Sequence, residues 1–166
     1  VRAPGMDPLP NCLQVDFALV EGKDGELEGR LVELQAFPSL YAIETLMAEA
    51  WRGTLATVPG LEGQWTCFVG VNEQEAHELM RRTILGDASP EETVLVDVDP
   101  EHQKTRPDFV ATKTLFDVDT VCVRNIRKDG RTLYREKDGK WVPIRRFYNR
   151  LVFDELEKKN VELPFA

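Results

Sequence analysis

The sequence holds little of what usually carries chemistry. Its three cysteines, Cys12, Cys67 and Cys122, are widely spaced among 166 residues, and no CxxC pair occurs. That argues against a disulfide framework and a structural zinc site, and a reducing, cytoplasmic compartment is expected. Histidine is limited to His77 and His102, and no serine or cysteine can be tied to either as a nucleophile. The GxSxG, HExxH and GxGxxG patterns and the glycine-rich P-loop are all missing. Their absence removes the usual signatures of a hydrolase elbow, a zinc-protease helix, a dinucleotide fold and a P-loop enzyme. No apolar run reaches the roughly 18 residues of a membrane span, and no signal peptide is visible. Basic charge is short as well: 21 Lys and Arg stand against 29 Asp and Glu, a net charge of −8. Without a basic stripe, neither nucleic acid nor a membrane surface is an expected partner. The chain opens on Val1 in a proline-bearing stretch to Pro10, as a segment of a longer protein would.

What is present is a globular composition. Apolar residues make up 42 %, enough for the core of one domain or one and a half. Cys12–Val20 alternates as a strand, Gly22-Lys23-Asp24-Gly25 turns, and Arg30–Gln35 returns as the second arm of a hairpin. Ser39 can cap a helix from Leu40 to about Trp51, with Ile43, Leu46, Met47 and Ala50 on its inner face. Gly53–Gly70 reads as irregular. Asn72-Glu73-Gln74-Glu75 has capping-box spacing and predicts a helix to Leu85, with Ala76, Leu79, Met80 and Ile84 inward and His77 exposed. Glu92–Val98 is a β-branched run, the pattern of a buried strand. Thr105–Asp108 opens a helix to Phe116, and Thr120–Asn125 is strand-like. Lys128-Asp129-Gly130 and Lys137-Asp138-Gly139 are turns flanking the strands Arg131–Glu136 and Lys140–Ile144. Arg145–Phe153 ends the sheet region, Asp154–Lys159 is a short helix, and Val161–Ala166 a frayed tail. Alternating βα units predict the α/β class, with a mixed β-sheet flanked by helices.

Three constellations could carry chemistry. In the hairpin, Glu33 and Gln35 share a strand face because side chains alternate with period two, and Asp16 lies on the partner strand. Two carboxylates and an amide oxygen make the oxygen-only set that Mg²⁺ takes beside nucleotide phosphates; a polar face turned to water has the same pattern. The second is the stretch from Asp97 to Asp108, with Gln103, Lys104 and Arg106, at the C-terminal end of a predicted parallel strand, where α/β sheets bind ligands. The third is Arg145-Arg146-Phe147-Tyr148-Asn149-Arg150, whose guanidinium groups could clamp an anion or pair with the carboxylate excess.

Two stretches resemble a known family. Asp16, then Gly29-Arg30-Leu31-Val32-Glu33-Leu34-Gln35-Ala36-Phe37-Pro38-Ser39-Leu40 and Glu44, are similar to the run of glutathionylspermidine synthases that leads from a hairpin into a helix. The resemblance implies that Asp16, Glu33 and Gln35 match the family's magnesium-binding Asp, Glu and Asn, and that Ser39 matches a substrate-side serine. Val94–Leu156 resembles the pre-ATP-grasp substrate domain that accompanies circularly permuted ATP-grasp ligases. Runs such as Glu-Leu-Gln-x-Phe-Pro-Ser-Leu and Arg-x-Tyr-Asn-Arg are similar to those of an uncharacterised bacterial branch. The chain departs from the family in three places: Gln35 stands for Asn, the run before Ser39 is shortened, and Gln14 stands where the family has an arginine. Nothing resembles the lysine-bearing strands that hold the nucleotide, or the amidase domain.

What the resemblance implies is a β-hairpin and helix over 11–52 carrying a magnesium edge, and a Rossmann-like substrate domain over 72–157. The expected activity is that of an ATP-dependent carboxylate–amine ligase, inactive as this segment alone. Mg²⁺ and ATP are expected in the complete protein and none tightly bound here. Small-molecule carboxylate and amine substrates are the expected partners, with Gln103, Arg106, Arg146 and Arg150 beside Ser39 as substrate residues. The alternative is a non-catalytic α/β binding or interaction domain.

Overall fold

The computed structural model describes residues 10–35, 39–63 and 70–165. Ala36-Phe37-Pro38 of the hairpin-to-helix run, Cys67 and Val1–Leu9 lie outside them. The chain divides after Ser39 into two units.

The first unit is an antiparallel pair, β1 (Gln14–Glu21) and β2 (Leu27–Gln35). The pairing runs from Gln14 opposite Gln35 to Glu21 opposite Leu27, with one irregularity between Asp16 and Phe17. There Asp16 faces Glu33 but Phe17 faces Leu31, so Val32 is the extra residue of a β-bulge. Val15, Phe17, Leu19, Leu27, Leu31 and Leu34 line one face and remain between 38 % and 75 % exposed. The hairpin is thus amphipathic: Glu21 stands opposite Leu27 on the apolar face, and the other polar side chains of the paired residues lie on the opposite one.

The second unit is built on β3 (Thr93–Asp97), every residue of which is buried. It is the centre of a three-stranded parallel sheet, between β4 (Asp119–Cys122) and β8 (Arg146–Asn149). Covering both faces explains the unbroken apolar run. Leu95 joins one core with Ala42, Ile84, Leu85, Phe109, Phe116, Val118 and Tyr148. Val94 and Val96 join a second with Val98, Val123, Ile126 and Leu156. Each fully buried valine or leucine contributes about 1.5–3 kcal/mol.

Helices α1 (Tyr41–Leu55), α2 (Glu73–Leu85) and α3 (Arg106–Phe116) supply the first core, and α4 (Phe153–Lys158) the second. The capping box read from Asn72 and Glu75 is present in both directions. Beyond β4, β5 (Arg127–Asp129), β6 (Thr132–Lys137) and β7 (Lys140–Ile144) form an antiparallel ribbon. Its second turn is Asp138-Gly139, both at positive φ, as a two-residue hairpin loop requires. Arg135, nearly fully buried, ties the ribbon down: it donates to Asp119 at 2.7 Å and to the Glu91 carbonyl at 2.8 and 3.3 Å. Burial alone would raise the Asp119 carboxyl, but hydrogen bonds from Lys113, Arg135 and Lys137 hold it well below the usual carboxylate range.

The α/β class is as expected, and its parallel and antiparallel pairings are shared among three small sheets. Several local readings are corrected. On α1, Ile43 and Leu46 pack against the first core as expected, beside buried Ala42 and Thr45, while Met47 is half exposed and Ala50 is exposed. On α2, Leu79 is exposed and His77 instead lies against Phe116, ring centroids 5.1 Å apart. The tail is not frayed through residue 165: Val161, Leu163 and Phe165 pack on the second core, with Phe165 tilted 6.0 Å from Phe147.

The start of α1 differs as well. Leu40 occupies the cap position at φ 60° and no cap side chain bonds the helix. Instead the carboxylate of Asp108, on α3, accepts from Ala42 N and Ile43 N at 3.0 Å each. The cap comes from a neighbouring helix because a fully buried carboxylate needs donors and a helix N-terminus has spare N–H groups. Asp108→Ala removes both bonds and leaves the helix start unsatisfied. We expect a loss of about 2–4 kcal/mol in urea unfolding, with an unchanged slope.

Candidate functional site

On the polar face of the hairpin the ladder sets Asp16 directly opposite Glu33, and Gln14 opposite Gln35. Directly opposed side chains lie on the same face, about 4.5–5.5 Å apart at Cβ. The bulge matters here. Strict alternation through Val32 would carry Glu33 to the face of Leu31, and absorbing the extra residue keeps it beside Asp16. Gln35 Nε2 donates to Asp16 Oδ2 at 3.2 Å and to Glu33 Oε1, so one amide joins the two carboxylates. Gln14 Nε2 donates to the other oxygen, Asp16 Oδ1, at 3.2 Å.

This donor set suits a hard divalent cation. It offers oxygen only, two carboxylates and an amide whose half-turn presents Oε1 in place of the NH₂ group. Among the described residues no group of three or more His, Cys, Asp or Glu is arranged for a metal. Any cation here would complete its shell with ligand or water oxygens, as Mg²⁺ normally does.

A second polar cluster stands at the C-terminal end of β3. Asp97 is only 3 % exposed. Its Oδ1 accepts from Val98 N at 2.6 Å and from Gln103 Nε2 at 3.3 Å. Gln103 Nε2 also reaches Val98 O at 2.8 Å and Glu155 Oε1, on α4, at 3.0 Å. Burial pushes the Asp97 carboxyl up to about 6; the Val98 N–H opposes this, Glu155 adds to it, and Arg150 and Lys159 pull it back. Glu155 shifts the other way, chiefly through its 2.6 Å pairing with Lys159.

The remaining substrate candidates separate. Ser39 is half-buried at the end of the first unit. Arg106 is exposed and pairs with Glu101 at 2.9 Å. Arg146 bonds the carbonyls of Thr83 and Ile84, both at 2.7 Å, at the end of α2. A Cβ on Gly86 would come within 2.5 Å of its Nη1, so the tight turn there also depends on glycine. Arg150 is buried at the end of β8, its guanidinium 5.9 Å from the Phe109 ring centroid. Sequence reading passed over Gln14 as a ligand candidate, Glu155 and the capping role of Asp108. Gln14 had a signal available, two residues before Asp16 and on its face. Glu155 and Asp108 act across 52 and 66 positions, beyond any local pattern.

Comparison of the chain with protein-family models, with curated proteins and with solved structures finds no match. Among the described residues no helix is long and apolar enough to cross a membrane.

The Asp97 carboxyl gives a pH signature. Its folded-state value lies above the ordinary 3.8, so between about 4 and about 6 the folded chain binds more protons than the unfolded one. Asp97 then contributes stability at the acid end that is lost as pH rises through about 6. Asp97→Asn keeps the shape and an oxygen acceptor without the titration. Urea unfolding of both forms from pH 4 to 8 should show the variant gaining on the wild type across that window and level above it. A constant difference would remove the assignment.

Proposed function

We propose that this chain is part of an ATP-dependent carboxylate–amine ligase of ATP-grasp type, with the polar face of the hairpin as its cation-binding edge. The observation that carries the reading is the convergence of Asp16, Glu33 and Gln35 on one strand face, with the Gln35 amide bonded to both carboxylates. They are also the residues on which the resemblance to glutathionylspermidine synthases rests. The apolar opposite face of the same hairpin supports a place at the edge of a larger catalytic layer, since a two-stranded sheet is marginal alone.

In this reading the γ-phosphoryl group of ATP passes to a substrate carboxylate oxygen and ADP leaves. An amine nitrogen then attacks the acyl carbon, the C–O bond to phosphate breaks, and the amine gives up a proton as the amide forms. Mg²⁺, when bound, neutralises phosphate charge. Asp16 and Glu33 supply the negative charge that holds it, and Gln35 keeps the two carboxylates in register. Gln103, Arg106 and Arg150 lie around the C-terminal end of the parallel sheet, where α/β folds receive ligands, and are assigned to the carboxylate substrate. Arg146 is committed to the end of α2.

Thermal unfolding of the full-length protein with and without Mg·ATP tests this. At a ligand concentration near 100 times Kd the wild type should gain about 2.7 kcal/mol. Glu33→Gln, which is nearly isosteric and uncharged, should abolish the gain without lowering stability in its absence. A folded wild type that gains nothing would favour the non-catalytic α/β binding domain.

A further inference from the structure

The hairpin face contains one more group than the proposed function uses. Gln14 stands opposite Gln35 and two residues before Asp16, which places its side chain on the same face as both carboxylates. Its NH₂ group donates to Asp16 Oδ1 at 3.2 Å. Its carbonyl oxygen, Oε1, is shielded from solvent and accepts no hydrogen bond. A buried amide oxygen without a partner is unfavourable, because it gives up its hydrogen bond to water and gains none in return. The group that relieves such a cost must be electron-poor, a hydrogen-bond donor or a cation. Gln14 meets Asp16 with its NH₂ group, so a half-turn of the amide is what would bring this oxygen to the carboxylates, and there a cation is electrostatically favoured over a neutral donor.

The two glutamines are arranged alike about Asp16. Gln14 donates to Oδ1 and Gln35 to Oδ2, so each carboxylate oxygen is held by one amide. A half-turn of a terminal amide exchanges its NH₂ and its oxygen with little change in shape. The face can therefore exist in two forms. With no cation, the NH₂ groups point inward and offset the repulsion between Asp16 and Glu33. With a cation, the amide oxygens point inward and the ligand set is oxygen throughout, as hard divalent ions require.

We propose that Gln14 is a fourth protein ligand of the hairpin's cation site, beside Asp16, Glu33 and Gln35, with its amide oxygen contacting the divalent ion. This rests on the cation-binding reading of the hairpin, and the test separates the two. Mn²⁺ is the probe, titrated into the full-length protein with and without ATP, and the free ion is read by its electron paramagnetic resonance signal. We expect one bound Mn²⁺ in the wild type and none in Glu33→Gln. Gln14→Ala should bind about tenfold more weakly, a change of about 1.4 kcal/mol. Gln14→Glu, which supplies a charged oxygen at the same reach, should bind more tightly, by about tenfold, and should recover on Mn²⁺ addition the thermal stability that a third carboxylate removes. A purely structural glutamine predicts no tightening in Gln14→Glu. Wild-type affinity retained in Gln14→Ala, or no gain in Gln14→Glu, would overturn the role of Gln14 and leave the cation site standing. No Mn²⁺ bound to a folded wild type would overturn both.

Discussion

The second unit is organised by the burial of Thr93–Asp97 on both sides. A strand in that position takes hydrogen bonds from two parallel neighbours and apolar cover on each face, and the chain supplies these from distant segments. Leu95 meets α1, α2 and α3; Val94 and Val96 meet the ribbon, α4 and the closing residues Val161–Phe165. The same constraint governs the polar residue at its end. Asp97 sits at the C-terminal end of the strand, buried like Val96 and Val98. Its raised carboxyl is a consequence of the strand's position more than of any charged neighbour.

Three partly or wholly buried aspartates surround this sheet, and each is accommodated by a different physical means. Asp119 is surrounded by Lys113, Arg135 and Lys137 and stays ionised. Asp108 takes two N–H groups from the start of α1, where the helix dipole favours negative charge. For Asp97 burial outweighs what opposes it, the Val98 N–H and the charges of Arg150 and Lys159, and so it keeps a proton to higher pH. The Gln103 amide has two hydrogens facing three acceptors, Asp97 Oδ1, Val98 O and Glu155 Oε1, so donors are scarce there as well.

How much of this was legible depended on how local each cause is. The helix over Glu73–Leu85 was readable because Asn72 and Glu75 mark its start by short-range chemistry. The buried strand was readable because burial on both faces leaves a β-branched run. The α/β class followed from the alternation of such elements. The inner faces of α1 and α2 were legible in part: Ile43, Leu46, Met80 and Ile84 pack inward as read, but Met47 and Leu79 stay exposed while small Ala42 and Thr45 and flat His77 lie inward. Packing against a close neighbour selects for shape, which a hydrophobicity count does not weigh. The capping of α1 by Asp108 joins residues 66 positions apart and leaves no local trace. On the hairpin, the shared face of Glu33 and Gln35 followed from period two. The bulge that sets Asp16 opposite Glu33 did leave a mark, the Leu31-Val32 doublet that interrupts the alternation.

That doublet leads to an energetic argument about the hairpin. Two carboxylates directly opposed on a two-stranded sheet repel each other, and among the described residues neither Asp16 nor Glu33 is in an ion pair. The nearest guanidinium on the strand, Arg30, pairs with Glu28 instead. Neutral amides hold the pair together, which is a weaker means than a salt bridge would supply. An arginine at position 14 or 35 would stabilise the hairpin more and would also fill the space between the carboxylates with fixed positive charge. Glutamine does the opposite on both counts: it leaves the negative potential of the face intact and can turn an oxygen toward it. In the proposed reading, a hairpin that takes up a positive ion gains from each part of this combination.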